Sequence, residues 1–159
     1  MRMRSPLAVI VASLALSACQ KAGPQFTAQD EAAVRALFDS VVADLRGHNI
    51  DAWAGRFAEN ARFFFPNMPV LAGRAAMLNW GKSLPPMASF SFGPVDVTGE
   101  GNLAYGSSRV FLQLTGSPAD TSKQLVVLKR DAAGRWWVQE CAVSSDLPLP
   151  TVAPAPRRS

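Results

Sequence analysis

Few residues in this chain have the type and spacing that chemistry requires. Its single histidine, His48, sits in Arg46-Gly47-His48-Asn49, between two helical patterns, where a solvated loop residue is the plainer reading. Cys19 and Cys141 are its only thiols. One histidine and two cysteines cannot build a multi-His or multi-Cys zinc site, and no carboxylate cluster has ligand spacing, so no metal is expected. A dyad of Cys141 with His48 is conceivable, but no local motif supports it. Ser107-Ser108 and Ser144-Ser145 lack the surroundings of a nucleophile elbow, and Gly99-Glu100-Gly101 reads as a turn rather than a phosphate loop. No catalytic residue and no cofactor are assigned on these grounds.

The aromatic residues are better candidates for a site. Phe63, Phe65, Trp80, Phe90, Phe92, Tyr105, Phe111, Trp136 and Trp137 fall in strand-like runs or on a core helix. In one domain most of them must fill the core, and the remainder can line an apolar pocket. Alternation places Trp136, Val138, Glu140 and Ala142 on one face of the last strand, and Trp137, Gln139, Cys141 and Val143 on the other. On the run from Leu103 to Thr115, Tyr105, Arg109, Phe111 and Gln113 share a face, which suits either a pocket mouth or a dimer interface. The candidate ligand-binding set is Phe65, Trp80, Tyr105, Arg109, Gln113, Trp137 and Cys141.

The elements that must position these residues follow from periodicity. At 159 residues and 48% apolar content, the chain is the length of one globular domain. Thr27 with Asp30 resembles a capping box, and Val34, Leu37, Phe38, Val41 and Leu45 follow helical spacing up to Gly47. Glu31 with Arg35, and Arg35 with Asp39, fall at i,i+4 on the polar side. A second helix is expected from Asp51 as N-cap, then a strand over Ala61 to Phe65 stopped by Pro66. A third helix over Gly73 to Lys82 would bury Ala76 and Trp80. Strands are expected at Ser89 to Thr98, Leu103 to Thr115, Lys123 to Arg130 and Arg135 to Ser144, joined by hairpin-like turns. Helices followed by a meander of antiparallel strands give an α+β class.

The ends of the chain carry a different kind of information. Arg2, Arg4, Arg157 and Arg158 account for the whole formal charge of +4, so the basic balance does not imply nucleic acid. Arg2 and Arg4 precede an apolar run, Leu7 to Leu16, too short to span a bilayer. Leu16-Ser17-Ala18-Cys19 then resembles the lipobox of bacterial lipoproteins. That resemblance implies cleavage before Cys19, acylation of its thiol and a membrane partner held through lipid. Gln20, where inner-membrane lipoproteins typically carry Asp, implies the periplasmic face of the outer membrane. Cys141 would then be the only free thiol, with no intramolecular disulfide. The expected division is a signal peptide over 1–18, lipidated Cys and tether over 19–25, a folded domain over 26–147 and a Pro-rich disordered tail over 148–159.

Three stretches of the body resemble the nuclear transport factor 2-like superfamily, in its SnoaL-like branch. They are Asn49-Ile50-Asp51-Ala52-Trp53 leading to Phe57-Ala58-Glu59-Asn60-Ala61, then Leu71-Ala72-Gly73-Arg74-Ala75-Ala76, and Gly134-Arg135-Trp136 through Ser144-Ser145-Asp146. The resemblance implies a cone: a curved antiparallel sheet packed on about three N-terminal helices around an internal pocket. It also implies catalytic positions, at which this chain departs. Phe65 stands where ketosteroid isomerase relatives carry the Asp base, Val41 where they carry the oxyanion Tyr, and Cys141 where an Asp is frequent. Proton transfer beside a carbonyl needs a base and a donor, so the expected function is binding of a small apolar ligand or a protein partner. A homodimer through the sheet is a further expectation. The competing reading is an isomerase or polyketide-cyclase type of enzyme that uses residues outside the family pattern.

Overall fold

The computed structural model describes residues 23–146. The proposed signal, Cys19 and the tail from residue 147 lie outside the described residues.

Helix α1 spans Ala28–Arg46 and starts where its sequence says it should. The Asp30 amide donates to Thr27 Oγ1 at 3.3 Å and the Thr27 amide donates to Asp30 Oδ2 at 3.0 Å, closing the capping box. Such a cap contributes about 1 kcal/mol. Val34, Phe38, Val41 and Leu45 form the buried stripe, each worth roughly 1.5–3 kcal/mol on full burial. Arg35 pairs with Glu31 at 2.7 Å and also reaches the Val95 carbonyl, which directs it away from the Asp39 expected as a second partner. At the C-terminal end the left-handed position is occupied by His48, φ 53°, whereas Gly47 has φ −79°.

Helix α2 covers Ile50–Ala54 with Asn49 as N-cap, not Asp51; the Ala52 amide donates to Asn49 Oδ1 at 3.3 Å. Burial of Ile50 in the core places the helix start two residues earlier than the carboxylate suggested. Helix α3 runs over Arg74–Ser83 from an uncapped Gly73, and it buries Met77 and Gly81. Its packed face is thus turned by one residue from the expected Ala76 and Trp80, both of which are half-buried. Gly81 sets that rotation, because a Cβ there would lie 2.7 Å from Ile50 Cγ2 and 2.9 Å from the Trp53 ring.

The strands are β1 (Phe57–Phe64), β2 (Leu71–Ala72), β3 (Met87–Phe92), β4 (Asp96–Glu100), β5 (Leu103–Leu114), β6 (Asp120–Arg130) and β7 (Trp136–Ser145). They form one open, curved sheet in the order β2-β1-β7-β6-β5-β3, with β4 pairing the other half of β5. The single strand expected over Ser89 to Thr98 is therefore two, separated around Pro94. β1 lies parallel to β7 while the remaining pairs are antiparallel, so the sheet is mixed rather than wholly antiparallel.

Opposite Val127 and Leu128 of β6 stand Glu140 and Val138, which leaves Gln139 as an extra residue in β7. A bulge of this kind switches side-chain parity along a strand. Trp136, Val138 and Cys141 all end up buried on the same side, contrary to uninterrupted alternation. The core lies between this inner face and the helices. Among the described residues no helix is long and apolar enough to cross a membrane.

Candidate functional site

The inner face of the sheet and the helices line a partly open cavity of about 200 Å³. Helix α1 contributes Phe38, Val41 and Leu45 to its lining, and Trp53, Phe57, Phe63, Phe65 and Trp80 form an aromatic wall. Phe63 and Phe65 stack with ring centroids 4.2 Å apart and 17° between planes, and Trp80 lies 4.2 Å beyond Phe65. The stack is continuous because β1 and the residue after it carry Phe at alternate positions, while α3 brings Trp80 alongside.

The opposite wall comes from alternate residues of β5 and β6. On β6, Ser122, Gln124, Val126 and Leu128 are buried, the first three in the cavity lining. Ser122 donates to Asp120 Oδ2 at 3.1 Å, and the same carboxylate accepts from Ser145 Oγ at 2.9 Å. Gln124 Nε2 donates to Ser108 Oγ at 3.0 Å, and Cys141 Sγ lies 3.9 Å from Gln124 Oε1. Burial pushes the Cys141 thiol well above its ordinary range, which keeps it protonated and poorly nucleophilic. Among the described residues lining the cavity there is no Asp, Glu, His, Lys or Arg. No group of three metal-ligating side chains is assembled among the described residues.

Phe65, Trp80 and Cys141 of the candidate set face this cavity. Tyr105, Arg109, Gln113 and Trp137 do not. The first three are on the outer face of β5, because its inward positions are Ala104, Gly106, Ser108, Val110 and Leu112. Tyr105 is 48% exposed and Phe111 42%, Arg109 pairs with Asp146 at 3.3 Å, and Gln113 donates to the Ser117 carbonyl at 3.4 Å. Trp137 lies in a separate outer cleft beside α1. Its indole donates to Asp131 Oδ2 at 2.8 Å and holds that carboxyl below its ordinary value, with the Arg135 guanidinium 4.0 Å from its ring. His48 is exposed and separate from the cavity. Sequence reasoning missed Ser122 and Gln124, although their spacing of two within an apolar strand is the signal that could have found them.

The three positions where the resemblance implies catalytic groups, Val41, Phe65 and Cys141, all reach the cavity; the first two supply hydrocarbon and the third a thiol that burial keeps protonated. The arrangement can desolvate an apolar ligand, flank it with rings and offer one amide to a polar atom. No Asp, Glu, His or Lys in the described lining is there to exchange a proton near neutral pH, and the Cys141 thiol is held protonated by burial.

Comparisons with known proteins agree with this geometry. A family profile described as SnoaL-like domain matches residues 34–142. Comparison with curated proteins finds no match. Among solved structures, a protein of unknown function from Mycobacterium tuberculosis superposes with a TM-score of 0.67 at 18% identity, over 79% of this chain and 83% of that one. A ketosteroid isomerase-like protein from Erwinia carotovora atroseptica gives 0.64 at 16% identity, over 77% and 100%. A putative scytalone dehydratase from Novosphingobium aromaticivorans gives 0.64 at 14% identity, over 82% and 96%. At these identities the likeness is one of fold.

Proposed function

The chain belongs to the SnoaL-like domain family, and from that premise we propose that its domain binds a small apolar ligand in the internal cavity without transforming it. The observation that carries this reading is the pairing of an aromatic-lined cavity with hydrocarbon at Val41 and Phe65. Proton transfer at a substrate carbon needs a base within hydrogen-bond reach and a donor for the developing oxyanion. A binder needs only apolar area and a few polar anchors. Burying about 200 Å² of apolar ligand surface gains about 5 kcal/mol. The cost of association is of similar size, so affinity rests on fit.

The reading extends to location. The basic n-region, apolar run and Leu16-Ser17-Ala18-Cys19 support attachment through lipid at Cys19, with the domain held at the periplasmic face of the outer membrane. Two or three acyl chains anchor effectively permanently, whereas one alone holds marginally.

Native mass spectrometry of the full chain, solubilised from the envelope of its host, tests the binding reading. The expected result is a small molecule retained at one per cavity and lost from Val126→Phe, a variant that fills the cavity while its thermal midpoint verifies folding. An empty wild-type cavity, or retention unchanged by Val126→Phe, would overturn it.

A further inference from the structure

Gln124 is an unusual residue to find on the wall of a hydrocarbon cavity. It is only 9% exposed, and its neighbours in the lining include Val110, Val126 and Val143. A side-chain amide has two N–H donors and a carbonyl oxygen with two lone pairs. One N–H is used on Ser108 Oγ, and Oε1 faces the Cys141 thiol, a weak donor. Ser122 is turned to Asp120. Gln124 is thus left with one N–H for which no acceptor is found among the described residues. A donor in such surroundings is costly unless something pairs with it, and Leu or Met would fill the same volume without that cost.

We infer that Gln124 is the polar anchor of the cavity, and that the ligand is a neutral, ring-bearing molecule with one acceptor oxygen aimed at its amide. This rests on the binding reading proposed above. Neutrality follows from a described lining without Lys, Arg, His, Asp or Glu, since an ion placed there would have no counter-charge. Rings follow from the aromatic side chains that dominate one wall of the lining, Trp53, Phe57, Phe63, Phe65 and Trp80. Size follows from volume: an apolar cavity of roughly 150 Å³ takes up benzene, and the 200 Å³ here suits a somewhat larger system such as two fused rings. The ligand atom is a carbonyl or comparable oxygen, because an N–H without an acceptor is rarer and costlier in a protein interior than a carbonyl oxygen with one lone pair unused, and Oε1 already faces the Cys141 thiol.

The pair 1-tetralone and tetralin differ by one carbonyl on the same bicyclic frame and serve as probes, with 1-naphthoate as the anionic control. Their binding to the full chain is followed through tryptophan fluorescence, to which Trp53 and Trp80 in the wall should respond. The wild type is expected to bind 1-tetralone about tenfold more tightly than tetralin and to leave 1-naphthoate unbound. Gln124→Leu should abolish that preference by weakening 1-tetralone while tetralin binds as before or better, and Gln124→Met provides the same comparison if the leucine variant folds poorly. Equal binding of the two probes to the wild type, or a preference that survives Gln124→Leu or Gln124→Met, would overturn the inference while leaving the binding reading intact. Failure of all three probes to bind the wild type would overturn both.

Discussion

Asp30 shows how one side chain can hold several parts of the chain together. Its carboxylate accepts from the Thr27 hydroxyl at 2.8 Å, from the Thr27 amide and from the Trp136 indole at 3.2 Å, and it pairs with Arg130. The Thr27 hydroxyl is the largest cause, and together these contacts lower its pKa from 3.8 to about 2, against a smaller opposing effect of burial. A folded-state pKa below the unfolded one contributes stability that is fully present above the unfolded value and is lost as pH falls through the folded one. The thermal midpoint should therefore hold steady as pH falls to about 4 with respect to this group and decline between about 4 and 2. Asp30→Asn should lower the midpoint at pH 7 and flatten the acid decline, as measured by circular dichroism melts across that range. A decline of unchanged size in the variant would show that other carboxylates govern it.

Elements add constraints that no single residue states. Helix α1 can lie close to the sheet only because β5 carries Gly106 beneath it, where a Cβ would stand 2.6 Å from Phe38 Cζ. Phe38 lines the cavity and meets Phe92 edge-on with centroids 5.6 Å apart. Gly106→Ala must then push the phenyl ring aside, an overpacking that costs about 1–3 kcal/mol. The variant should melt several degrees lower and bind tetralin more weakly; an unchanged melt would mean that α1 shifts freely over the sheet. Much of this layer was legible beforehand. The capping box at Thr27 and the stripe from Val34 to Leu45 sufficed for α1, since both signals are local. Period-two patterning correctly placed Tyr105, Arg109 and Gln113 on one face of β5, but it cannot say which face meets the helices, and these three point outward. On β7 the extra residue Gln139 reverses parity midway, so Trp137 and Cys141, expected together, are on opposite sides. Non-local packing decides such matters, as it does at Asn49 and Gly81.

At the scale of the whole molecule, the point where the chain enters the domain is distinct from the middle of the cavity wall. Phe26 meets Trp136 edge-on with centroids 5.7 Å apart, and Arg130 donates to the Gln25 carbonyl at 3.1 Å. The chain thus enters the domain at the end of the sheet where β6 stops and β7 begins, while Gln124 stands further along β6, paired with Val143 and Ser108. Between Cys19 and Gln25 there are enough residues to reach about 20 Å when extended. A lipid at Cys19 would therefore hold the domain close to a bilayer without drawing on the residues that line the cavity. Full-length Cys19→Ser should leave the membrane fraction, lose the acyl mass, and keep both its thermal midpoint and its affinity for 1-tetralone. The two C-terminal arginines contribute only about 1 kcal/mol each near an anionic surface, too little to retain a protein that has lost its acyl chains. Membrane retention of Cys19→Ser at moderate salt would refute the anchor, and a changed affinity for 1-tetralone would refute the separation of anchor from site.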